Sequence, residues 1–198
     1  MSVNIAPMNV YDRLILLIWL VFAVYWVLSA ISAKRNVGPR PGLRTQAVMR
    51  VVIFVLVVLV LRTPLLYRGL QNAQAYAPDN MAARVIGVVL CALGIGLAIW
   101  ARANLGRNWG MPMSRKENPE LVTTGPYTFI RHPIYTGTIT AMLGSAITMS
   151  IIWLLPLIVF GMYFIFSARR EEKLMIEEFP EQYRAYMQRT KMLVPFVL

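Results

Sequence analysis

Three long runs of apolar residues dominate the first half of the chain. They cover residues 14–32, 47–67 and 81–101. Each run is close to the length of about 20 apolar residues that a helix needs to cross a lipid bilayer. The pattern therefore predicts three membrane-spanning helices. The charges of Asp12 and Arg13 before the first run cancel, whereas a signal peptide begins with a basic segment, so we expect this helix to be retained.

A fourth apolar run covers residues 137–166. Its 30 residues are too many for one untilted span and too few for two full ones. Met149 and Ser150 lie near its middle, and Pro156 follows. We therefore expect a tight hairpin of two short, tilted helices. The predicted fold is an all-α polytopic membrane protein with five transmembrane helices, completed by a cytoplasmic loop and C-terminal helices.

The basic residues determine the predicted orientation. Segments 33–46, 102–133 and 169–191 together contain 15 of the 20 lysines and arginines, whereas the loop 68–80 contains only Arg68. Basic segments between spans lie preferentially in the cytoplasm. Five spans with the N-terminus outside place all three basic segments there, in a bacterial inner membrane or an ER-type membrane. Four spans would put the most basic segment on the opposite side.

The composition agrees with a membrane protein. Apolar residues make up 58% of the chain and charged residues 15%, against about 45–50% and about 25% in soluble proteins. The net charge of +11 would suggest nucleic acid in a soluble protein. Here the basic residues separate apolar runs, so we expect membrane lipid and no nucleic acid as partner.

We expect a single membrane domain over residues 1–198. Its first part, residues 1–101, would form helices on the lipid and substrate side, and residues 102–198 would form a cofactor-binding loop, the hairpin and a tail. The tail repeats apolar residues at helical spacing, and Pro180 predicts a new helix after Phe179. The single cysteine, Cys91, and the single histidine, His132, exclude a disulfide framework and a multi-histidine metal centre, so no metal site is predicted. The sequence does not indicate an oligomeric state.

Candidate chemistry lies at the two ends of the predicted hairpin. Pro133 fits the first position of a helix, so Arg131 and His132 would lie at a helix N-terminus that favours an anion. The hairpin would return Glu171 and Glu172 to the same membrane face. Alternatively, these residues are ordinary interface side chains and a solvated charge run.

One ligand needs both kinds of group. S-adenosylmethionine has a carboxylate, an ammonium group, ribose hydroxyls that suit a carboxylate acceptor, and a sulfonium that favours an aromatic face. Tyr127, Tyr135 and Trp109 are placed to contribute such faces. The same aromatic residues could instead anchor the helices at the membrane interface.

Several motifs resemble the isoprenylcysteine carboxyl methyltransferase family. They are L-G-R-N-W at residues 105–109, L-V-T-T-G-P-Y at 121–127, R-H-P-x-Y-x-G at 131–137 and E-E-x-L-x-x-x-x-F-x-x-x-Y-x-x-Y at 171–186, followed by Leu193 and Pro195. The resemblance covers nearly half of the chain, in family order. It implies an integral-membrane methyltransferase that uses S-adenosylmethionine without a Rossmann domain. Phospholipid N-methyltransferases share a similar C-terminal pair of motifs.

The resemblance also implies roles for particular residues. The cofactor pocket would be lined by His132, Pro133 and Tyr135, closed over by Leu121, Val122, Thr123 and Tyr127, and completed by Glu171 and Glu172. The candidate catalytic residues are Glu172, Arg170 and Arg131. Family members that act on prenylated proteins have an arginine a few positions before the glutamate pair, whereas here Arg169 and Arg170 adjoin it. The residue that grips an acceptor carboxylate is therefore unassigned.

The expected substrate is a lipophilic small molecule or a lipidated protein, methylated on a carboxylate as the resemblance implies. A carboxylate with a pKa near 4 needs no general base at neutral pH, so positioning and desolvation would dominate catalysis. An amine or thiol acceptor would need a base, for which Glu172 and Glu171 are candidates. Two other functions stay open: an NADPH-dependent membrane reductase and a noncatalytic carrier of a lipophilic ligand.

Overall fold

The computed structural model describes residues 9–30, 80–108, 120–150 and 153–194. These ranges contain five α-helices and two short 3-10 turns, and their β-structure is one isolated bridge. The all-α prediction is therefore confirmed for the described part, whereas the predicted span at 47–67 lies outside it. The helices are α1 (Val10–Ala30), α2 (Met81–Leu105), α3 (Pro133–Met149), α4 (Leu154–Glu178) and α5 (Pro180–Arg189).

Two of these helices, α1 and α2, are long and apolar enough to cross a membrane. The first begins at Val10, four residues before the predicted start, with the Asn9 side chain accepting the backbone N–H of Asp12 at 2.9 Å. The second begins at Met81 as predicted, because the Asn80 side chain caps it by accepting the N–H of Ala82 at 2.8 Å. It continues four residues past the predicted end at 101.

Large apolar side chains on the outer faces of α1 and α4 are exposed. Leu17, Leu20 and Val27 on α1 are more than half exposed, and so are Leu155 and Met162 on α4. A contiguous apolar surface of this kind is unfavourable in water but matches lipid chains. The exposed faces therefore agree with a protein that is embedded in a bilayer.

The helices α2 and α3 pack antiparallel along a seam of small residues. A Cβ added to Gly94 would lie 2.5 Å from the backbone oxygen of Gly137, and one added to Gly144 would lie 2.4 Å from the backbone oxygen of Gly87. Only residues without a side chain allow two helix backbones to approach this closely. The seam fixes the start of α3 against the end of α2.

The first helix packs beside this pair and runs parallel to α2. Near its start, Ile15 is fully buried against Cys91 and Ile95, and at its end the carbonyl of Ser29 accepts a hydrogen bond from Arg102. The predicted topology requires this direction, because it has one further span between α1 and α2. The number of membrane crossings stays a prediction, because α3 has only 17 residues.

The break between α3 and α4 falls where the sequence predicts it, between Met149 and Leu154. The two helices meet where Tyr135, in the first turn of α3, packs against Phe164 and Ala168 of α4. Because α4 continues to Glu178, twelve residues past the apolar run, its last turns extend beyond that contact. A new helix then starts at Pro180, as predicted.

Candidate functional site

The candidate site lies where the first turn of α3 meets the middle turns of α4. Pro133 occupies the first turn of α3, as predicted, and His132 precedes it in a non-helical conformation. On α4, Glu171 and Glu172 face these residues. The sequence-predicted pairing of a cationic helix start with two carboxylates is therefore present in the structure.

Glu172 receives two cationic partners on one oxygen. Arg131 Nε donates to Glu172 Oε1 at 2.6 Å, and His132 Nε2 lies 3.5 Å from the same atom. The side chains of Arg131, His132 and Glu172 are only 9%, 9% and 11% exposed. The cluster is therefore shielded from solvent. Charge interactions are stronger in such an environment than in water.

Glu171 is held from two sides as well. The Tyr135 hydroxyl donates to Glu171 Oε1 at 2.5 Å, and His132 Nδ1 lies 3.5 Å from Glu171 Oε2. His132 thus lies between the two carboxylates. Its Nε2 atom is buried and makes the 3.5 Å contact with Glu172 without hydrogen-bond geometry.

The charges shift the titration of the cluster. Burial alone would lower the pKa of His132, but the carboxylates of Glu171 and Glu172 outweigh it and raise that pKa. Burial alone would raise the pKa of Glu172, but His132 and Arg131 outweigh it and lower that pKa. Burial, followed by the Glu171 carboxylate, raises the pKa of Tyr135. His132 therefore favours the cation, Glu172 the anion and Tyr135 the neutral phenol.

Three rings form a stacked column beside the carboxylates. The His132 and Tyr135 rings are 5.5 Å apart between centroids with planes within 6° of each other. The Tyr135 and Phe164 rings are 4.8 Å apart with planes 16° apart. The column connects the charged cluster to the apolar part of α4.

The C-terminal segment closes the site from a third direction. The N–H groups of Arg131 and His132 donate to the carbonyls of Lys191 and Met192 at 2.8 and 3.1 Å, and the Thr136 hydroxyl donates to the carbonyl of Leu193 at 2.6 Å. Two N–H groups ahead of α3, a predicted anion-binding helix start, are therefore occupied by the chain itself. The motif at Leu193 marked this segment, but sequence reasoning did not predict its pairing.

Arg131 also belongs to this closure. Besides the ion pair with Glu172, its Nη1 atom donates to the carbonyls of Thr190 and Met187. The guanidinium therefore joins the α3 start, α4 and the tail. This placement is compatible with a positioning role, and the catalytic role of Arg131 stays a prediction.

The segment that was predicted to close over the cofactor leads into the same site. Leu121, Val122 and Thr123 are half-buried and non-helical. Tyr127 is buried within the 3-10 turn Gly125–Thr128, and its carbonyl accepts the Tyr186 hydroxyl at 2.5 Å.

Gly125 sets the path of this segment against α2. It has a φ of +60°, and a Cβ there would lie 2.4 Å from the Asn104 side chain. The turn therefore needs glycine at this position.

The structure thus unites most, but not all, of the predicted site residues. His132, Pro133, Tyr135, Glu171 and Glu172 come together, whereas the Arg170 side chain is exposed and takes part in none of the cluster's contacts described above. Trp109 lies outside the described residues. Within the described ranges, no three histidine, cysteine or acidic side chains are arranged to hold a metal ion.

Two further contributors were missed by sequence reasoning. Phe164 was counted only as part of an apolar run, although its spacing of seven and eight residues from the glutamate pair places it on the same helix face. The small-residue seam was also missed. Its signal, glycines seven apart at 87 and 94 and again at 137 and 144, is readable in the sequence.

The chain resembles known proteins over this region. A model of the family described as phospholipid methyltransferase matches residues 82–182. The chain is 30% identical over 131 residues to the nickel-cobalt-cadmium resistance protein NccN of Alcaligenes xylosoxydans xylosoxydans, covering 56% of this chain and 61% of that protein. It is 37% identical over 78 residues to methanethiol S-methyltransferase 1 of Bradyrhizobium diazoefficiens, covering 39% of this chain and 27% of that enzyme.

Similarity extends to isoprenylcysteine methyltransferases. The protein-S-isoprenylcysteine O-methyltransferase of Saccharomyces cerevisiae is 28% identical over 127 residues, covering 62% of this chain and 53% of the enzyme. The structure of a eukaryotic intramembrane Ras methyltransferase, isoprenylcysteine carboxyl methyltransferase, aligns with 98% of this chain and 70% of that one, at a TM-score of 0.51 and 20% identity. The fold is thus shared, while the matched segments span less than two thirds of these curated relatives.

Proposed function

Because the chain belongs to the phospholipid methyltransferase family, as its resemblance to the isoprenylcysteine carboxyl methyltransferases predicts, we propose that it is an S-adenosylmethionine-dependent methyltransferase of the membrane. The observation that carries this proposal is the cluster of His132, Glu172 and Tyr135 with the partly exposed Glu171 at the junction of α3 and α4. Residues 102–198 supply the cofactor pocket, and the helices of residues 1–101 face lipid and acceptor.

The cluster fits the polar groups of S-adenosylmethionine. The carboxylates of Glu171 and Glu172 suit an ammonium group or ribose hydroxyls, which are hydrogen-bond donors. The Nε2 atom of His132, whose contact with Glu172 is long, suits an acceptor such as a carboxylate or a hydroxyl oxygen. When bound, the cofactor would supply an electrophilic methyl group on its sulfonium. The half-buried residues Leu121, Val122 and Thr123, with buried Tyr127, would cover it.

The chain's own residues position and desolvate the reactants. The side chains of Arg131, His132 and Glu172 are almost closed to solvent, and such a site favours a reaction that neutralises charge. Arg131 holds Glu172 in place. A carboxylate acceptor gives up no proton, so no base is required. A thiol acceptor would give its proton to a carboxylate, for which Glu171 and Glu172 are the candidates.

We propose a lipophilic acceptor that reaches the site laterally from the bilayer, with the site on the cytoplasmic side and the N-terminus outside. The similarity to isoprenylcysteine O-methyltransferases favours a carboxylate on a prenylated cysteine. The similarity to methanethiol S-methyltransferase 1 supports a thiol as the second candidate. We leave Arg170 outside the catalytic set, because it is exposed.

Calorimetry on the detergent-purified protein tests the proposal. We expect micromolar binding of S-adenosylmethionine and of S-adenosylhomocysteine, lost in His132→Ala and Glu172→Ala. Glu178→Gln is the control, because Glu178 is exposed on the same helix. If the folded protein binds NADPH and neither methyl-cycle compound, the reductase alternative replaces the proposal. If it binds only lipophilic ligands, it is a carrier.

The acceptor is then identified by transfer of a radiolabelled methyl group. An isoprenylcysteine with a free carboxylate is compared with an alkyl thiol of similar length. Transfer to the carboxylate that persists in Glu171→Gln, at saturating cofactor, supports catalysis without a base. Methyl transfer to the thiol supports the second candidate if its rate falls as the pH is lowered and if it is lost in Glu171→Gln or Glu172→Gln.

A further inference from the structure

Phe164 lies outside the charged cluster yet makes a specific contact with it. Its ring lies 4.8 Å from the Tyr135 ring with planes 16° apart, which is a stacked arrangement. The Tyr135 ring also stacks on His132, at 5.5 Å between centroids. Ala168, fully buried one helical turn after Phe164, leaves room for this approach. Tyr135 therefore stacks on two rings, those of Phe164 and His132.

These ring contacts matter because the Tyr135 hydroxyl holds Glu171. It donates to Glu171 Oε1 at 2.5 Å. Rotation about the Cα–Cβ bond of tyrosine swings the ring and moves the hydroxyl away from the carboxylate, whereas rotation about the Cβ–Cγ bond leaves the hydroxyl oxygen on its axis. Rings stacked on Tyr135 restrict this swing about the Cα–Cβ bond. The position of Phe164 thereby determines how well Tyr135 holds Glu171.

We propose that Phe164 is a positioning residue for the cofactor site, acting through Tyr135 on the Glu171 carboxylate. The inference rests on the proposed function, in which Glu171 contacts the polar groups of the cofactor. Phe164 touches neither cofactor nor acceptor in this scheme. Its ring fixes the position of Tyr135, and the Tyr135 hydroxyl in turn fixes the Glu171 carboxylate, seven residues after Phe164 on the same helix.

The neighbouring aromatic residues of α4 provide matched controls. Phe160 is 6.3 Å from Phe164 with a 36° tilt and is 48% exposed. Tyr163 is 5.8 Å from Phe164, tilted by 56° and 43% exposed. Neither stacks on Tyr135. Phe160→Leu therefore tests the loss of an aromatic ring on the same helix without loss of the stack.

Calorimetry of the full-length protein with S-adenosylhomocysteine is the first experiment. Tyr135→Phe removes a hydrogen bond to a charged group, and we expect affinity to fall about ten-fold or more. Phe164→Leu keeps an apolar side chain but loses the stack, and we expect a fall of about two- to ten-fold. Phe160→Leu should change affinity by less than about two-fold.

Coupling separates positioning from simple packing. In a Tyr135→Phe background the hydroxyl is absent, so Phe164→Leu should cause no further loss of affinity. An equal loss in both backgrounds would overturn the proposal, because Phe164 would then act independently of the Tyr135 hydroxyl.

A second cycle needs no cofactor. The same four variants are compared by the unfolding equilibrium of the unliganded protein in detergent. We expect the effects of Tyr135→Phe and Phe164→Leu to be non-additive by at least about two-fold in the equilibrium constant. Additive effects would refute the link. If the wild type binds no methyl-cycle compound, the proposed function fails, and this second cycle still decides whether Phe164 positions Tyr135.

Discussion

Arg131 and Glu172 form a buried ion pair, 2.6 Å long, between the residue that precedes the α3 start by two positions and the middle of α4. The same guanidinium donates to the carbonyl of Thr190. One side chain therefore connects three segments that are far apart in sequence. Removing either charge of such a pair leaves the other buried without compensation, which is more costly than losing the attraction itself.

Arg131→Met is therefore expected to destabilise the protein by about 3–5 kcal/mol. The double variant Arg131→Met with Glu172→Leu should recover much of the loss, because it leaves no buried unpaired charge. Thermal and denaturant unfolding in detergent would measure both. Arg170→Met is the control, since that side chain is exposed and a surface change is typically within about 0.5 kcal/mol. Equal losses for Arg131→Met and Arg170→Met would contradict the expectation.

The opposite pKa shifts of His132 and Glu172 predict the pH dependence of stability. A raised pKa means that the contribution of His132 is fully present below its ordinary value of 6.5 and is lost as the pH rises through the folded value. A lowered pKa means that the contribution of Glu172 is present above 4.5 and is lost as the pH falls through the folded value. The cluster should therefore stabilise the fold most between these two limits.

Melting temperatures measured across this window and to higher pH provide the test. We expect the wild type to lose stability as the pH rises above 6.5, and His132→Gln to show a flatter profile there. An unchanged alkaline decline in His132→Gln would assign the loss to another group.

The glycine seam predicts contrasting effects at two neighbouring positions of α2. Alanine at Gly94 would place a Cβ 2.5 Å from backbone atoms of α3, whereas nothing lies within 4 Å of a Cβ at Gly96. We expect Gly94→Ala to destabilise by about 1–3 kcal/mol. Gly96→Ala should be neutral or stabilise by up to about 1 kcal/mol. A comparison of unfolding in the same detergent decides, and similar values for both would disprove close packing at the seam.

The buried hydrogen bond from Tyr186 to the Tyr127 carbonyl predicts that the tail supports the loop. Tyr186→Phe leaves that carbonyl without its donor, at an expected cost of about 1–3 kcal/mol. Tyr163→Phe removes a hydroxyl from a ring that is 43% exposed and should have little effect. Proteolytic cleavage within residues 120–128, which should accelerate only in Tyr186→Phe, reports the loosening of the loop.

Much of the helical layout could be predicted because its causes are local. Met81 begins α2 and Pro180 begins α5 as predicted, since a capping asparagine and a proline are visible in the chain itself. A helix end before Pro180 was predicted, but the continuation of the second hairpin helix as far as that point was not. Apolarity ends at residue 166, but the charged residues that follow are good helix formers, so the helix continues to Glu178. Hydropathy indicates where the lipid-facing part of a helix ends, and this point differs from the end of the helix itself.

The candidate site was predicted only in part, because only some of its contacts have causes that are visible in the sequence. The pairing of His132 with the two glutamates follows from two ends of one hairpin and from motifs. The backbone pairing of Arg131 with Lys191 follows from neither, because a main-chain hydrogen bond between two segments needs no complementary side-chain pattern. The role of Phe164 likewise depends on ring orientation, which spacing along a helix does not determine.

The distance in sequence between Arg131 and Thr190 has a consequence for biogenesis. The two residues are 59 positions apart, which a ribosome takes about 3 to 12 seconds to synthesise. The seam glycines, of which Gly144 is the last, have all been synthesised well before residue 190. The membrane core can therefore assemble while the chain is still being made, whereas the cluster around Arg131, which we propose as the cofactor pocket, is completed only after the tail emerges. A nascent chain arrested before residue 190 should be inserted in the membrane yet unable to retain S-adenosylhomocysteine.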